Sequence, residues 1–176
     1  MPHLALLRGV NVAGSHRLPM RELESAFISA GASAVATYIQ SGNVIFDSNR
    51  PADTCVDAAK EIEARFGFRP AIIWRTAHAW RAMVEANSFL AAGAAVESLH
   101  VACLESAAPA AATELLDPRA FLPDELIVAD AHAYLRLPNG VARSALTNAR
   151  LDKALGTVST IRSWRTAIRL LELLAA

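Results

Sequence analysis

The pattern of apolar and polar positions changes between a strand-like and a helix-like period along the first 75 residues. Short apolar runs rich in β-forming residues predict four strands, at 3–9, 34–40, 43–47 and 69–75. Apolar positions three and four residues apart predict two helices, which begin at Pro19 and Pro51 and end at Gly31 and Gly67. The resulting order, β-α-β-β-α-β, is that of a ferredoxin-like unit.

The second half of the chain repeats this order with weaker signals. Thr76 begins a third helix, and the Ala- and Gly-rich stretch at 89–98 predicts a linker. Strands are predicted at 99–105, 125–130, 133–138 and 157–161. Helices are predicted at 109–117 and 143–156, before a last helix whose inner face carries Trp164, Ile168, Leu171 and Leu174.

These elements predict an α+β protein with two ferredoxin-like (β-α-β-β-α-β) subdomains and an extra C-terminal helix. Residues 1–88 are expected to form an N-terminal ferredoxin-like subdomain plus a connecting helix. Residues 98–176 are expected to form a C-terminal α+β subdomain. A chain of 176 residues is long enough for two such small subdomains.

The strand order brings distant polar segments together in pairs. In a ferredoxin-like unit the first and second strands run parallel, so the segments that follow them lie at the same edge of the sheet. In the first unit these segments are 8–17 and 40–43, which we call the first rim. In the second unit the third and fourth strands end at one edge, which brings 138–148 near 161–166. We call this pair the second rim.

The first rim has residue types that suit an anionic ligand. Its loop leads into a helix N-terminus, where N–H groups and the helix dipole favour negative charge, and Arg8 and Arg17 can bind phosphate or carboxylate in a bidentate manner. The loop lacks the GK[ST] and GxGxxG patterns of known nucleotide loops. The alternative is a structural loop in which Asn11 caps backbone groups and Arg8 pairs with an acid.

The turn of the first rim allows two interpretations as well. Gly42 and Asn43 are preferred turn residues for conformational reasons alone. Gln40 directly before the turn is less expected on those grounds, and Tyr38 shares a strand face with it. Both side chains are therefore candidate ligand contacts.

The second rim contains Arg143 and Ser144 at the start of a predicted helix and Arg162 and Trp164 near the last helix. Ser144 either holds a phosphate oxygen beside Arg143 or caps the helix. Trp164 and Arg162 either stack and clamp a ligand, or Trp164 is the first core residue of the last helix. A nucleophilic serine is disfavoured, because the chain has no GxSxG motif and no His close to Ser144 in the sequence.

Composition narrows the function classes. The net charge is zero, yet residues 1–131 carry 10 basic and 15 acidic side chains, whereas residues 132–176 carry seven basic and two acidic ones. This asymmetry indicates either an anionic partner for the C-terminal segment or a basic solvated face. The chain has no dense Lys/Arg run, which disfavours nucleic acid.

Cysteines and histidines give no sign of a cofactor. Cys55 and Cys103 form no CxxC pair and are expected to be buried. The five histidines lack HxxxH and HExxH spacing, so neither a metal nor another cofactor is expected. No apolar run approaches the roughly 18 residues of a membrane span, and no signal peptide is recognisable. We therefore expect a cytoplasmic protein.

Three long motifs resemble the bacterial family called domain of unknown function 1697: "ALLRGVNVAGSHRLPMRELESAF", "TYIQSGNVIF" and "YLRLPNGVARSALTNARLDKALGTVSTIRSWRT". The resemblance implies two ferredoxin-like or related α+β subdomains and no established activity. The chain also departs from the family pattern, since Ser15 and Ala145 stand where the family commonly has lysine, and Ser163 and Arg165 where it has asparagine. Catalysis that depended on those lysines would be absent from this chain.

We predict that the protein binds a small phosphorylated or otherwise anionic, nucleotide-like ligand between the two rims. The predicted contacts are Arg8, Asn11, Arg17, Tyr38, Gln40, Asn43, Arg143, Ser144, Arg162 and Trp164. The alternatives are a nucleic-acid-binding module and a protein-interaction module. The sequence assigns no catalytic residue, reaction or oligomeric state.

Overall fold

A computed structural model describes residues 1–176, and the chain divides into two units. The first unit is Met1–Ala82 with Leu170–Ala176, and the second is Met83–Arg169. The predicted subdomains, 1–88 and 98–176, differ from these units mainly in placing the whole last helix in the second subdomain. A sequence pattern identifies the helix but not the core against which each part of it packs.

The first unit contains a four-stranded antiparallel sheet in the order β2-β3-β1-β4. Its strands are β1 (Pro2–Leu7), β2 (Ser33–Tyr38), β3 (Asn43–Asp47) and β4 (Ile72–Thr76). The helices α1 (Met20–Ser29) and α2 (Pro51–Phe66) pack on one face, and α3 (Ala77–Glu85) follows β4.

The core of this unit follows from alternation along β1. Ala5 and Leu7 face the helices, and Leu4 and Leu6 face the opposite side of the sheet, yet all four are buried. The helical spacing of Val56, Ala59, Ile62 and Phe66 predicts these four residues as the inner face of α2, and this prediction is wrong for Val56, which is 48% exposed. The buried residues of α2 are Thr54, Cys55, Ala58, Ala59 and Ile62, which shifts the inner stripe away from Val56.

The second unit repeats the arrangement with the order β6-β7-β5-β8. Its strands are β5 (Leu99–Leu104), β6 (Glu125–Ala129), β7 (His132–Arg136) and β8 (Ser159–Ser163). Its helices are α4 (Ser88–Ala91), α5 (Ala110–Glu114) and α6 (Asn148–Leu155), and α7 (Trp164–Ala175) ends the chain. Two antiparallel sheets of ferredoxin-like order confirm the predicted fold class.

The predicted helix at 143–156 is wrong at its start. Val141–Arg143 form a single 3-10 turn, Ser144 is extended, and α6 begins only after Thr147. The Thr147 Oγ1 accepts a hydrogen bond from the Arg150 N–H at 3.3 Å, so Thr147 is the N-cap. Ser144 therefore does not cap the helix, because its hydroxyl is engaged elsewhere in the second unit.

In both units, an arginine of the strand that precedes α3 or α7 donates a hydrogen bond to the backbone of that strand. Arg75 Nη1 donates to the Trp74 carbonyl at 2.7 Å, and Arg162 Nη1 donates to the Ile161 carbonyl at 3.0 Å. In each case the next residue is a hydroxyl residue that accepts from the first turn of the following helix. Each arginine thus binds the backbone of its own strand.

Candidate functional site

The two segments of the first rim meet at one edge of the first sheet. The Leu7 N–H donates to the Gly42 carbonyl at 2.8 Å, and the Asn11 Nδ2 donates to the Gln40 carbonyl at 2.9 Å. These bonds join segments about thirty positions apart in the chain, as the parallel course of β1 and β2 predicts. The predicted proximity of 8–17 and 40–43 is confirmed.

Asn11 fastens the base of the rim loop. Its Nδ2 donates to the carbonyls of Leu18 and Gln40, both at 2.9 Å, and its Oδ1 accepts from the Leu18 N–H at 2.8 Å. Both amide hydrogens are therefore used within the chain. This geometry is the one expected when Asn11 caps backbone groups, and it makes Asn11 a positioning residue.

Gly42 and Asn43 fix the turn of the rim. A Cβ atom on Gly42 would lie 2.7 Å from both Leu7 Cβ and Val10 Cγ2, and its φ of 73° is left-handed. The Asn43 side chain is fully buried, and its Nδ2 donates at 2.9 Å to the Tyr38 carbonyl and the Ser41 hydroxyl. Both residues hold the backbone rather than face a groove.

The loop of the first rim is itself folded. Val10 and Leu18 are buried at its ends, and the Ser15 N–H donates to the Val12 carbonyl at 3.0 Å across its tip. The His16 ring stacks on Phe68 with centroids 4.5 Å apart, and its Nδ1 lies 3.1 Å from the Gly9 carbonyl oxygen. These contacts hold the exposed tip in one shape.

Backbone strain is concentrated in this rim. Six non-glycine residues have positive φ, and four of them lie in the rim or in the adjoining turn: Asn11 (55°), Ala13 (48°), His16 (48°) and Ile39 (49°). A β-branched residue such as Ile39 adopts this conformation at a cost of roughly 1–3 kcal/mol. Such strain clusters at binding and catalytic sites more often than elsewhere.

An open groove of about 540 Å³ lies beside this loop. Its lining residues are Asn11, Arg17, Leu18, Pro19, Met20, Arg21 and Gln40. Three of these, Arg17, Arg21 and Gln40, present polar side chains that hydrogen-bond to no other residue of the chain. Arg21 was not among the residues predicted from the sequence, where its only signal is its position in the first turn of the helix that follows the rim loop.

The first turn of α1 opens on this groove. Pro19 is the N-cap and offers no side-chain acceptor, while the N–H groups of Glu22 and Leu23 donate to its carbonyl. The N–H groups of Met20 and Arg21 have no acceptor within the chain. The one acid of this turn, Glu22, lies 3.5 Å from Arg65 Nη1 on α2. The groove therefore combines two guanidinium groups with two unsatisfied backbone donors.

The other predicted contacts of the first rim lie outside the groove. Arg8 is half-buried, and its N–H donates to the Ala71 carbonyl at 3.0 Å. Tyr38 is half-buried on the edge strand β2. Their roles in ligand binding stay predictions.

In the second rim, Ser144 belongs to a structural network. Its hydroxyl donates to the Asp124 carboxylate at 2.8 Å and accepts from the Leu146 N–H at 2.9 Å. The Ala145 N–H donates to the same carboxylate oxygen at 3.0 Å. Asp124 is buried, so these donors stabilise its charge. Arg143 is exposed beside this network.

The remaining two candidates of the second rim are buried. Trp164 is 0% exposed and packs edge-on against Tyr134, with ring centroids 6.1 Å apart. Arg162 donates to the Thr160 hydroxyl at 2.8 Å, and burial lowers its pKa to about 10. The burial of Trp164 is what the core interpretation requires. Because Arg143 is exposed while Arg162 and Trp164 are buried, these side chains do not share one accessible surface.

The cysteines and the potential metal ligands provide no second candidate site. Cys55 and Cys103 are buried free thiols, as predicted, and burial raises the pKa of Cys55 to about 12. The chain has no cluster of three or more His, Cys, Asp or Glu side chains that could hold a metal ion. None of its helices combines the length and apolar character that crossing a membrane requires.

Comparisons with known proteins give a family from the sequence and a fold from one solved structure. The model of the family described as "Protein of unknown function (DUF1697)" matches residues 1–134. The conserved bacterial protein SP0830 from Streptococcus pneumoniae has a similar structure, with a TM-score of 0.75 and 18% sequence identity. The match covers 99% of this chain and 98% of that protein. No curated protein matches the sequence.

Proposed function

Because the chain belongs to the DUF1697 family, whose function is unknown, we propose a function from the site alone. We propose that the protein binds a small phosphorylated or otherwise anionic ligand, nucleotide-like in size, in the groove of the first unit. The observation that carries this proposal is the convergence of Arg17 and Arg21, two arginines without an internal partner, on one groove.

The groove provides the interactions that an anion requires. Arg17 and Arg21 can each donate two parallel N–H bonds to phosphate or carboxylate oxygens. The N–H groups of Met20 and Arg21 add backbone donors at the positive end of the α1 dipole, which favours an anion by about 0.3–1 kcal/mol. Gln40 offers both a donor and an acceptor for an uncharged part of the ligand. The volume of about 540 Å³ is within the range of small-molecule sites.

The rigid surroundings support binding. The bonds of Asn11 and the turn at Gly42 hold the loop in place, so little ordering is required when a ligand enters. The strained backbone at Ala13 lies within the tip that the bond from the Ser15 N–H to the Val12 carbonyl closes. No lysine occurs in the loop at 8–17, so we propose binding and do not propose phosphoryl transfer.

The fold disfavours RNA binding of the kind that an open ferredoxin-like sheet supports. Such binding needs an exposed sheet face on which bases stack. Leu4 and Leu6 on one face of β1 and Ala5 and Leu7 on the other are all buried. Neither face of β1, one of the two central strands of the first sheet, is therefore accessible.

Isothermal titration with AMP, ribose 5-phosphate and inorganic phosphate, with adenosine as the uncharged control, tests this proposal. We expect at least one phosphorylated compound to bind and adenosine to bind much more weakly. The double variant Arg17→Ala/Arg21→Ala should lose this binding by at least about tenfold, since it removes two charge-assisted contacts.

The matched control is Arg81→Ala, which removes one exposed arginine outside the groove. It should bind as the parent does. Absence of binding by every phosphorylated compound, or equal affinity of the parent and the double variant, would contradict the proposal.

A further inference from the structure

In three of the four edge strands, side chains hydrogen-bond to backbone N–H or C=O groups that point away from the sheet. On β2 the Thr37 N–H donates to Glu24 Oε1 at 3.2 Å. On β4 and β8 the outward carbonyls of Trp74 and Ile161 accept from the neighbouring arginines. On β8 the Ser159 N–H also donates to Asp152 Oδ1 at 2.8 Å. Side chains that occupy an edge in this way discourage pairing with another strand.

The fourth edge strand, β6, has no such protection. Its pairing with β7 joins Ala129 to His132 around a two-residue turn, and Ile127 to Tyr134 two positions further along. Because hydrogen-bonded pairs alternate in an antiparallel ladder, the N–H and C=O groups of Leu126 and Val128 point away from the sheet. No side chain of the chain bonds to these four groups.

The surface beside this open edge is apolar. Ile127 is 40% exposed, and Leu122, which precedes the strand, is 67% exposed. A groove of about 250 Å³ runs along the strand and is lined by Phe89, Pro118, Arg119, Leu122, Glu125, Leu126 and Ile127. An open backbone edge beside exposed apolar side chains is a surface suited to strand pairing.

We propose that β6 pairs antiparallel with β6 of a second copy of the chain. In the register centred on Ile127, Leu126 lies opposite the partner's Val128, and the two Ile127 side chains lie opposite each other. Leu126 and Val128 of both copies then form four main-chain hydrogen bonds. The pair is symmetric, as a two-fold interface requires.

The charges of β6 favour a second copy as the occupant. Glu125 is already paired with Arg136 on β7, and in this register it lies opposite the uncharged Ala129 of the partner subunit. No like charges are therefore opposed within the five paired residues. The strand is only five residues long, Glu125–Ala129, which limits the pairing and keeps the dimer weak.

Sedimentation equilibrium up to about 1 mM protein tests the proposal, since an interface built on one short strand pair is expected to be weak. We expect a reversible dimer of twice the 18.8 kDa chain mass. Ile127→Lys should raise the dissociation constant by about tenfold or more, because it opposes two like charges. Val141→Lys, at another exposed apolar residue of the second unit, should leave it unchanged.

Mixing variants of opposite charge makes the test specific to self-pairing. An equimolar mixture of Ile127→Lys and Ile127→Glu chains should recover the dimer, whereas each variant alone stays monomeric. A partner other than a second copy gives no such recovery. A parent that is monomeric at every concentration, or a mixture without recovery, would overturn the proposal.

A cross-link provides a second readout. Residues that face each other in a non-hydrogen-bonded pair have Cα atoms about 4.5 Å apart, which is within the range that a disulfide spans. Ile127→Cys should therefore form a covalent dimer under mild oxidation, since Cys55 and Cys103 are buried. Leu115→Cys, which is 86% exposed and outside β6, should not. Equal cross-linking of both variants would overturn the proposed register.

Discussion

The first and second rims arise from the same strand order and yet differ in what their polar side chains do. In the first rim, Asn11 and Asn43 hold the backbone, which leaves Arg17 facing an open groove. In the second rim, Ser144 and Arg162 are themselves engaged by the fold. Strand order therefore determines which segments meet, and the remaining hydrogen-bonding capacity determines which of them can bind a ligand.

The largest expected effect concerns the second rim. Trp164→Ala should destabilise the protein by about 3–5 kcal/mol, because it opens a cavity at a fully buried aromatic position. Urea denaturation measures this loss. A loss below about 1 kcal/mol would mean that Trp164 is not a core residue and would reopen its role in ligand binding.

The next effect concerns the support of the first rim. Asn11→Ala removes three hydrogen bonds and places alanine at a φ of 55°, so we expect a loss of about 2–3 kcal/mol in the free energy of unfolding. Asn11→Gly loses the same bonds without the conformational penalty and should be the milder variant. Equal losses in the two variants would contradict the role of backbone strain at this position.

A smaller loss is expected at the network of the second rim. Ser144→Ala leaves the buried Asp124 carboxylate with one donor fewer, which should cost about 1–2 kcal/mol. Ligand binding in the first unit should remain unchanged, as titration with AMP would show. A variant of parental stability that no longer binds AMP would assign Ser144 to the ligand site instead.

The smallest change in stability should come from the arginines of the groove. Arg17→Ala and Arg21→Ala remove no internal hydrogen bond, so each should alter the free energy of unfolding by less than about 0.5 kcal/mol. Their effect should be on ligand affinity alone. A loss above about 1 kcal/mol in either variant would show that the side chain has a structural role.

Local signals in the sequence were sufficient to predict most of the helices and strands. Pro51 in the first turn and Gly67 just beyond the last turn mark α2, and the structure has the helix at Pro51–Phe66. The start of α6 was missed because Ser144 and Thr147 are both good capping residues. What distinguishes them is the bond from Ser144 to Asp124, which lies twenty positions away and has no local signal.

The candidate site was predicted in part. Strand order predicted that the loop at 8–17 meets the turn at 40–43, and the side-chain types indicated an anion. Arg21 was missed because an arginine on a helix surface is ordinary until the loop folds beside it. Trp164 was difficult to assign because an aromatic residue between two arginines suits a binding surface and a core position equally well.

The most direct test of the account is an amide-resolved NMR titration of the parent protein with AMP. We predict that the largest chemical-shift changes occur at the backbone N–H groups of Met20 and Arg21 and at Gln40, and that Arg17→Ala/Arg21→Ala abolishes them. Absence of any change in the parent with AMP, ribose 5-phosphate and inorganic phosphate alike would contradict the account. Changes confined to residues 141–147 of the second rim would contradict it equally.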